Sequence, residues 1–398
     1  MNSRARLRHY FTHYETLGGV QSILDTHLKL DPQNGLSSSL LAFFEPAGQS
    51  SSNPAVTGLG LSGRDTIRSA RRKFRQHEQT QHNVRIYHDL WGLAFLGEYD
   101  TQSRRRIGAV HSTWPHLSYQ LRQLTGSLDG IFTDSQAIAA RVRSQYPRLE
   151  PLRIKHLPVP ARIAPQQHLR KHPPLANRRL LIGFVGRLDY AQKRVDRFPH
   201  LLEQLNTAKI DCELQFLGDG NASASLPSKF PANAPVTFFG RKAGDDYWKI
   251  MSKWDFVVYT SDHEGSPLAL IECMSVGCLP IFPSIGSGGD LLVESLDPQL
   301  LYAPEDWHQV TNTIKDWQLK PAPEYTAARE KSREISLGHS PKSYHKHFIE
   351  FLDSVLELPK VSRNFSPKRP FLLSDHLPFG LLHRYHPKGF FRANPLQN

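Results

Sequence analysis

The sequence predicts a parallel α/β fold in two Rossmann-like domains, and three observations carry that prediction. Its 398 residues are enough for two hydrophobic cores. Short apolar and β-branched runs alternate with segments of helical period along most of the chain, the pattern of βα units that build a doubly wound parallel sheet. Residues 158–179 (PVPARIAPQQHLRKHPPLANRR) interrupt the alternation with a proline-rich, basic stretch that reads as a linker.

Composition narrows the function. Hydrophobic residues make up 39% and charged residues 22%, a globular balance. The net charge of +12 favours anions, whether nucleotides, nucleic acid or acidic lipid. No nucleic-acid module or zinc-finger pattern occurs, so nucleic acid is not an expected partner. Cys212, Cys273 and Cys278 include no C-x-x-C pair; they read as small buried residues in a reducing compartment. The basic N-terminus (MNSRARLRHYFTHYE) is not followed by an apolar core, and no run of about 18 apolar residues exists. A cytoplasmic protein is expected, with peripheral contact at the inner face of an anionic membrane left open.

In the first domain, residues 1–158, a poor first strand over Arg8–Thr12 leads into Leu17-Gly18-Gly19-Val20 and a helix with Val20, Ile23, Leu24, His27 and Leu28 at helical spacing. Gly18 and Gly19 let backbone approach a ligand closely, or simply make a βα turn. A strand over Leu40–Phe44 precedes a glycine-rich loop over 47–63. A basic helix from Arg64 to Gln79 follows; its plain reading is a solvated face, its functional one a patch for an anionic acceptor or membrane. Strands over Val84–Tyr87 and Ile107–Val110 run into His88-Asp89 and His111. A helix follows through Leu117, Leu121 and Leu124. Then come a strand over 130–135 that ends in Ser135 as N-cap, a helix over Gln136–Tyr146 and a last strand over 152–158.

The second domain, residues 180–340, opens with a strand over Leu180–Val185 that runs into Gly186-Arg187-Leu188-Asp189, with Lys193 opening the next helix. An Arg just past a strand and a Lys six residues on can converge on one diphosphate, the Arg as a bidentate fork and the Lys as a point charge. The plain reading is two solvated cations. Strands over 213–217 and 236–239 lead to Gly240-Arg241, and a helix spans 245–254. The stretch from Val257 to Ile285 is one β-loop-α-β unit. Its strand leads through Ser261–Gly265 to Ser266 as N-cap and Pro267 as first helical residue; the helix carries Leu268, Ile271 and Met274, stops at Gly277, and returns as a strand over 279–282. Glu264 precedes that helix and Glu272 lies about two turns in. The helix N-terminus between them suits a phosphate, and the carboxylates suit sugar hydroxyls. Ser287-Gly288-Gly289-Asp290 reads as a glycine turn. Helices are expected over 305–318, 323–335 and 341–357, the last crossing back to the first domain. The tail, 358–398, is basic and aromatic; it reads as packed on its own protein, or as a contact for anionic lipid.

Glu264-Gly265-Ser266-Pro267-Leu268-Ala269-Leu270-Ile271-Glu272 resembles the Glu-x7-Glu motif of retaining glycosyltransferases of family four, which have the GT-B fold. Gly186, Arg187, Leu188, Lys193 and Asp196 resemble a second pattern of that family, and Gly18-Gly19 its donor-facing loop. The resemblance implies two Rossmann-like domains facing each other across a cleft, the second holding most of the donor. It implies that Arg187, Lys193, Gly18, Gly19 and the helix start at Ser266, Pro267 and Leu268 face the donor diphosphate. Glu272 would bind the ribose and Glu264 the donor sugar, and His111 would contact the sugar near the reacting carbon. His88 and Asp89 are acceptor-side or general-base candidates, and Arg241 a candidate near the base. The implied reaction is retaining transfer from a nucleotide-diphosphate sugar to a hydroxyl of a glycan or lipid-linked glycan, as in cell-surface polysaccharide synthesis. UDP is the expected nucleotide, with GDP and ADP as alternatives. No Asp-x-Asp motif occurs, so no metal is expected, nor any cofactor, the nucleotide sugar being a co-substrate. The competing readings are a GT-B nucleotide-sugar epimerase or hydrolase, and a non-catalytic polyanion or membrane-surface binding protein.

Overall fold

The computed structural model describes residues 5–15, 19–50, 52–77, 82–96, 104–111, 117–118, 121, 127–146, 149–150, 153–170, 172–361 and 373–381. The chain divides into two compact units, 1–160 with 342–398, and 161–341.

The first unit contains β1 (Ala5–Phe11), α1 (Gly19–Leu30), β2 (Leu36–Ala42), β3 (Gly48–Gln49), β4 (Val56–Gly58), α2 (Ile67–His77), β5 (Val84–His88), α3 (Leu93–Leu96), β6 (Arg105–Val110), β7 (Gly130–Thr133), α4 (Gln136–Gln145) and β8 (Ile154–His156). Among the described residues its sheet runs β3-β4-β2-β1-β5-β6-β7-β8. Every pairing is parallel except β3 with β4. Two corrections to the sequence reading fall here. The strand expected at Leu40 begins at Leu36, and the expected loop over 47–63 contains β3 and β4. Neither short strand has room for a periodic pattern, and Gly58 is there because a Cβ would lie 1.8 Å from the Pro46 carbonyl oxygen. Ser135 does cap α4, its hydroxyl accepting from the Ile138 N–H at 3.1 Å.

The basic helix α2 buries Ile67, Ala70 and Phe74. Arg71 reaches Asp375 at 3.3 Å, and Thr66 bridges Pro378. Phe379 is buried in the same core as Phe74 and Trp91. Residues 373–381 thus pack on the first unit. Of the seven Lys and Arg residues on which the lipid reading rested, Lys360 is described, whereas Arg363, Lys368, Arg369, Arg384, Lys388 and Arg392 lie outside the described residues.

The second unit contains β9 (Leu180–Val185), α5 (Phe198–Thr207), β10 (Cys212–Leu217), β11 (Val236–Phe238), α6 (Gly244–Met251), β12 (Phe256–Val258), α7 (Leu268–Ser275), β13 (Leu279–Pro283), α8 (Gly288–Leu296), β14 (Leu301–Tyr302), α9 (Trp307–Leu319) and α10 (Ala322–Leu337). The sheet order is β11-β10-β9-β12-β13-β14, all parallel. In order of appearance that is 3-2-1-4-5-6, the doubly wound arrangement whose direction reverses between the first and fourth strands, β9 and β12. Central strands of such a sheet are covered on both faces, which is why β9 and β12 read as unbroken apolar runs. Gly183 in β9 is required: a Cβ there would stand 2.1 Å from the Trp254 ring.

Residues 161–179, expected as a linker, belong to this unit. Arg178 grips Asp255 through both carboxylate oxygens, at 2.8 and 2.5 Å, and the Tyr325 hydroxyl donates to the same group at 3.0 Å. The expected glycine turn at 287–290 is instead the start of α8. Ser287 and Asp290 form a reciprocal capping box, and Gly289 leaves room for the Phe282 ring. The last helix, α11 (Pro341–Glu357), packs on the first unit through Tyr344, Phe348 and Phe351. Among the described residues no helix is long and apolar enough to cross a membrane.

Candidate functional site

The loops after β9 and β12 leave the sheet at its switch point, where parallel sheets form ligand crevices. At the end of β9 the chain turns through Gly186 at φ +148°, against Gly218 at φ +151° after β10. A Cβ on Gly218 would come within 1.9 Å of the Gly186 carbonyl oxygen. The turn delivers Arg187 and Asp189 together. The buried Asp189 carboxylate accepts from the Gln192 N–H at 2.7 Å, the Lys193 N–H at 3.2 Å and Arg187 Nε at 2.8 Å. Burial pushes this carboxyl up, but the Gln192 N–H and the Arg187 guanidinium outweigh it and hold it below its usual range. A second Arg187 nitrogen donates to Gln192 Oε1 at 2.8 Å, and the guanidinium stays 60% exposed.

Lys193 does not open a helix, which corrects the sequence reading. Its N–H is taken by Asp189, and Arg194 is left-handed at φ +49°. Regular α-helix begins only at Phe198. The left-handed Arg194 breaks the helical path, and only a single 3-10 turn, Val195–Arg197, precedes the α-helix.

The loop after β12 is stitched to this turn. Thr260 Oγ1 donates to the Lys193 carbonyl at 2.8 Å, the Asp262 N–H to the Gln192 carbonyl at 3.0 Å, and Gln192 Nε2 to the His263 carbonyl at 3.1 Å. That frame brings Lys193 Nζ to Glu264 Oε1 at 2.5 Å, where Ser261 Oγ also donates at 2.6 Å. Lys193 is 14% and Glu264 4% exposed at the side chain, so this is an ion pair in a largely dry setting.

Pro267, not Ser266, is the cap residue of α7. It is extended, the helix begins at Leu268, and the N–H groups of Leu270 and Ile271 reach its carbonyl at 3.0 and 3.4 Å. The N–H groups of Leu268 and Ala269, in the first turn, have no acceptor within the helix and form its anion-attracting end. The Gly288 N–H donates to the Gly265 carbonyl at 2.7 Å, so the start of α8 adjoins the loop before α7.

Glu272, buried in α7, is held on both oxygens. Arg162 donates through Nε at 2.7 Å and a terminal nitrogen at 3.1 Å, and the Tyr247 hydroxyl donates to Oε2. The Arg162 guanidinium lies over the Tyr247 ring, 4.7 Å from its centre. Burial, and then the neighbouring carboxylate, push the Tyr247 hydroxyl well above its usual range, so it stays a donor. Arg162 and Tyr247 were missed from sequence, as were Asp189 and Ser261; Arg162 stood in an apparent linker. Arg241 is exposed in the loop after β11.

In the first unit the sheet order reverses between β1 and β5. Gly19 is the first residue of α1, after β1; Gly18 lies outside the described residues, as do Ser112, Thr113 and Trp114 beyond His111. His88 ends β5, and Asp89 and Leu90 follow at φ +51° and +58°. Two consecutive non-glycine residues in the left-handed region are strained, and for a leucine the conformation is an outlier. Asp89 Oδ1 accepts from the His111 N–H at 3.0 Å. His111 Nε2 meets His88 Nδ1 at 2.7 Å, and His111 Nδ1 meets the Asp134 carboxylate at 2.9 and 3.0 Å. Both ring nitrogens of His111 are therefore engaged within the unit. Burial lowers its proton affinity, but Asp134 outweighs burial and leaves it raised, while burial and the adjoining His111 push His88 far down.

Known proteins add the following. Residues 165–335 match the family model described as glycosyl transferases group 1. No curated protein matches the chain. Among solved structures, the lipopolysaccharide outer core galactosyltransferase WaaB in its apo form aligns at a TM-score of 0.66 and 17% identity, over 88% of this chain and 99% of that one. HepE from Anabaena, in complex with UDP and glucose, aligns at 0.66 and 14% identity, over 88% and 100%. TarM aligns at 0.54 and 16% identity, over 68% of this chain; the chain spans 54% of TarM's length. These likenesses show the architecture: the two parallel α/β units are the Rossmann-like units of the GT-B fold.

Proposed function

We propose that the chain is a metal-independent glycosyltransferase that moves a sugar from a nucleotide-diphosphate sugar, with UDP as the nucleotide, to a hydroxyl of a glycan or lipid-linked acceptor, retaining the anomeric configuration. The observation that carries this reading is the Lys193–Glu264 pair, at the switch point of a doubly wound sheet and just ahead of the α7 N-terminus. The ammonium of Lys193 has three donors and gives one to Glu264. The others face the diphosphate, together with the exposed fork of Arg187 and the first-turn amides of α7. Oε1 of Glu264 takes both Lys193 and Ser261, which leaves Oε2 to accept from a sugar hydroxyl. Glu272 accepts from the ribose through the lone pair left on Oε1, held in place by Arg162 and Tyr247. As the sugar leaves, negative charge grows on the diphosphate. Arg187, Lys193 and the helix dipole stabilise it from fixed positions, the positive charge a metal ion would otherwise bring.

WaaB's name as a galactosyltransferase and the UDP and glucose bound to HepE support the donor class. The group 1 match supports the reaction class over the part of the chain that carries Arg187, Lys193, Glu264 and Glu272. The test is a melting-temperature panel of UDP, GDP, ADP and their hexose conjugates. UDP and a UDP-sugar should stabilise the protein, and Lys193→Ala should weaken binding of the UDP-sugar more than that of uridine. If no nucleotide stabilises the chain, the reading fails; equal weakening of UDP-sugar and uridine would remove the diphosphate role of Lys193.

A further inference from the structure

We propose that His9, His27 and Asp31 hold a divalent transition-metal ion, zinc by donor type, inside the first unit, at a site separate from the nucleotide machinery of the second. The three residues come from β1, from α1 and from the turn just after α1. All are fully buried, and their ligand atoms lie within 4.8 Å of one another. His9 Nε2 stands 3.7 Å from Asp31 Oδ2, and His27 Nδ1 stands 3.4 Å from Asp31 Oδ1. The first is beyond hydrogen-bond reach and the second is at its limit. They are close to the roughly 3.3 Å between ligand atoms of a tetrahedral zinc ion bonded at about 2.0–2.1 Å.

The hydrogen-bond network around the three residues gives a cation a place between them. Asp134 is an acceptor, so His111 donates to it from Nδ1, and in its neutral form presents a lone pair at Nε2. His88 donates there from Nδ1 and presents a lone pair at Nε2, which His9 meets with Nδ1 at 3.0 Å. With His9 donating from Nδ1, its Nε2 is left as a bare lone pair pointing toward a carboxylate. That nitrogen is buried and has no hydrogen-bond partner. Two acceptors facing each other in a dry interior repel, and a metal ion between them turns both into ligands.

The outer contacts also fit. Ligating histidines commonly donate their second nitrogen to a fixed partner. Here His9 Nδ1 donates to His88, and His27 Nε2 lies 2.8 Å from the Tyr344 hydroxyl. The carboxylate is oriented by His345 Nε2 at 2.6 Å and by Ser38 Oγ. Two imidazoles and a carboxylate are a borderline donor set that suits zinc over calcium or magnesium.

Because the ligands are fully buried, the ion is loaded as the chain folds and resists chelators in the native state. The test uses the full-length chain. Metal analysis after dialysis against EDTA should find about one zinc per chain, and refolding from denaturant in the presence of zinc should raise the melting temperature of the first unit by roughly 5–10 °C over refolding with EDTA, at zinc near a hundredfold its dissociation constant. His9→Ala and His27→Ala should lose the ion, while His200→Ala, at an exposed position in α5, should keep it. If those ligand variants do not fold, the visible spectrum of the cobalt-refolded wild-type chain decides, since low-symmetry nitrogen and oxygen coordination must appear in it. A wild-type chain that retains no stoichiometric metal and refolds equally well with EDTA would overturn the proposal and assign the gap to a proton. So would ligand variants that keep a full equivalent.

Discussion

Replacing Lys193 and Glu264 separately and together separates their structural role from their chemical one. At 2.5 Å and an effective dielectric of about 20, the gross attraction between the two charges is about 6–7 kcal/mol, most of it offset by desolvation. The measurable quantity is the cost of leaving one charge behind. Removing one partner of a buried pair costs about 3–5 kcal/mol; the Ser261 hydroxyl still compensates Glu264 by about 1 kcal/mol. Lys193→Met is therefore expected to destabilise the second unit by about 2–4 kcal/mol. Glu264→Leu should do so by a similar or smaller amount, because the Lys193 stem can swing its ammonium toward water. The double variant should lie within about 1 kcal/mol of wild type, giving a coupling close to the sum of the two single costs. Urea denaturation followed by tryptophan emission reads this, since Trp248, Trp254, Trp307 and Trp317 all belong to the second unit. The double variant should be folded and yet unable to bind a nucleotide-diphosphate sugar. Additive costs would refute the pair, and undiminished donor binding by the folded double variant would refute its role.

Arg162→Ala should weaken UDP binding about tenfold without unfolding the protein, because Glu272 loses the fork that orients it; calorimetry on the two proteins reads the ratio. Burial pushes the Asp255 carboxyl up, but Arg178, His172 and the Leu181 N–H hold it far below the usual carboxylate range. Its folded form therefore binds a proton less readily than the unfolded one. The stability it contributes is full above about pH 4 and is lost as pH falls below that. Asp255→Asn should flatten the acid limb of a pH–stability profile, and an unchanged limb would contradict the assignment. Gly183→Ala should cost more than about 3 kcal/mol or prevent folding of the second unit, since the added carbon would overlap the Trp254 ring; a near-neutral melt would show that the ring can move aside.

Much of this architecture was legible in the sequence because parallel α/β units announce themselves locally. The apolar runs of β9, β12 and β13 and the helix stop at Gly277 need no knowledge of distant residues. Arg187, Lys193, Glu264 and Glu272 were legible as charged residues at strand ends and at a helix start. What could not be read is which of them satisfy one another. Lys193 and Glu264 lie 71 residues apart, and Arg162 and Glu272 lie 110 apart. No local pattern encodes pairings at that range. Where local signals failed, a side chain had bonded to the local backbone. Asp189 gathers the Gln192 and Lys193 N–H groups into a turn ahead of the left-handed Arg194, and Ser287 with Asp290 turns an apparent glycine turn into a helix start. In the first unit, His88, His111 and Asp134 stood out at most as isolated residues at the ends of three strands. Their alignment into one hydrogen-bonded row comes from the parallel register of β5, β6 and β7, which the sequence does not state.

Titration of the full-length chain with UDP-glucose and UDP-galactose, repeated on Glu272→Ala and on the Lys193→Met, Glu264→Leu double variant, reads donor binding at the β9–β12 switch point. Saturable binding of at least one of these sugars is predicted at one site per chain. It should weaken at least about tenfold when Glu272 is removed and disappear in the folded double variant. If wild type binds neither sugar nor UDP itself, or binds them equally well without Glu272 and without the pair, the donor site assigned to the β9–β12 switch point is contradicted.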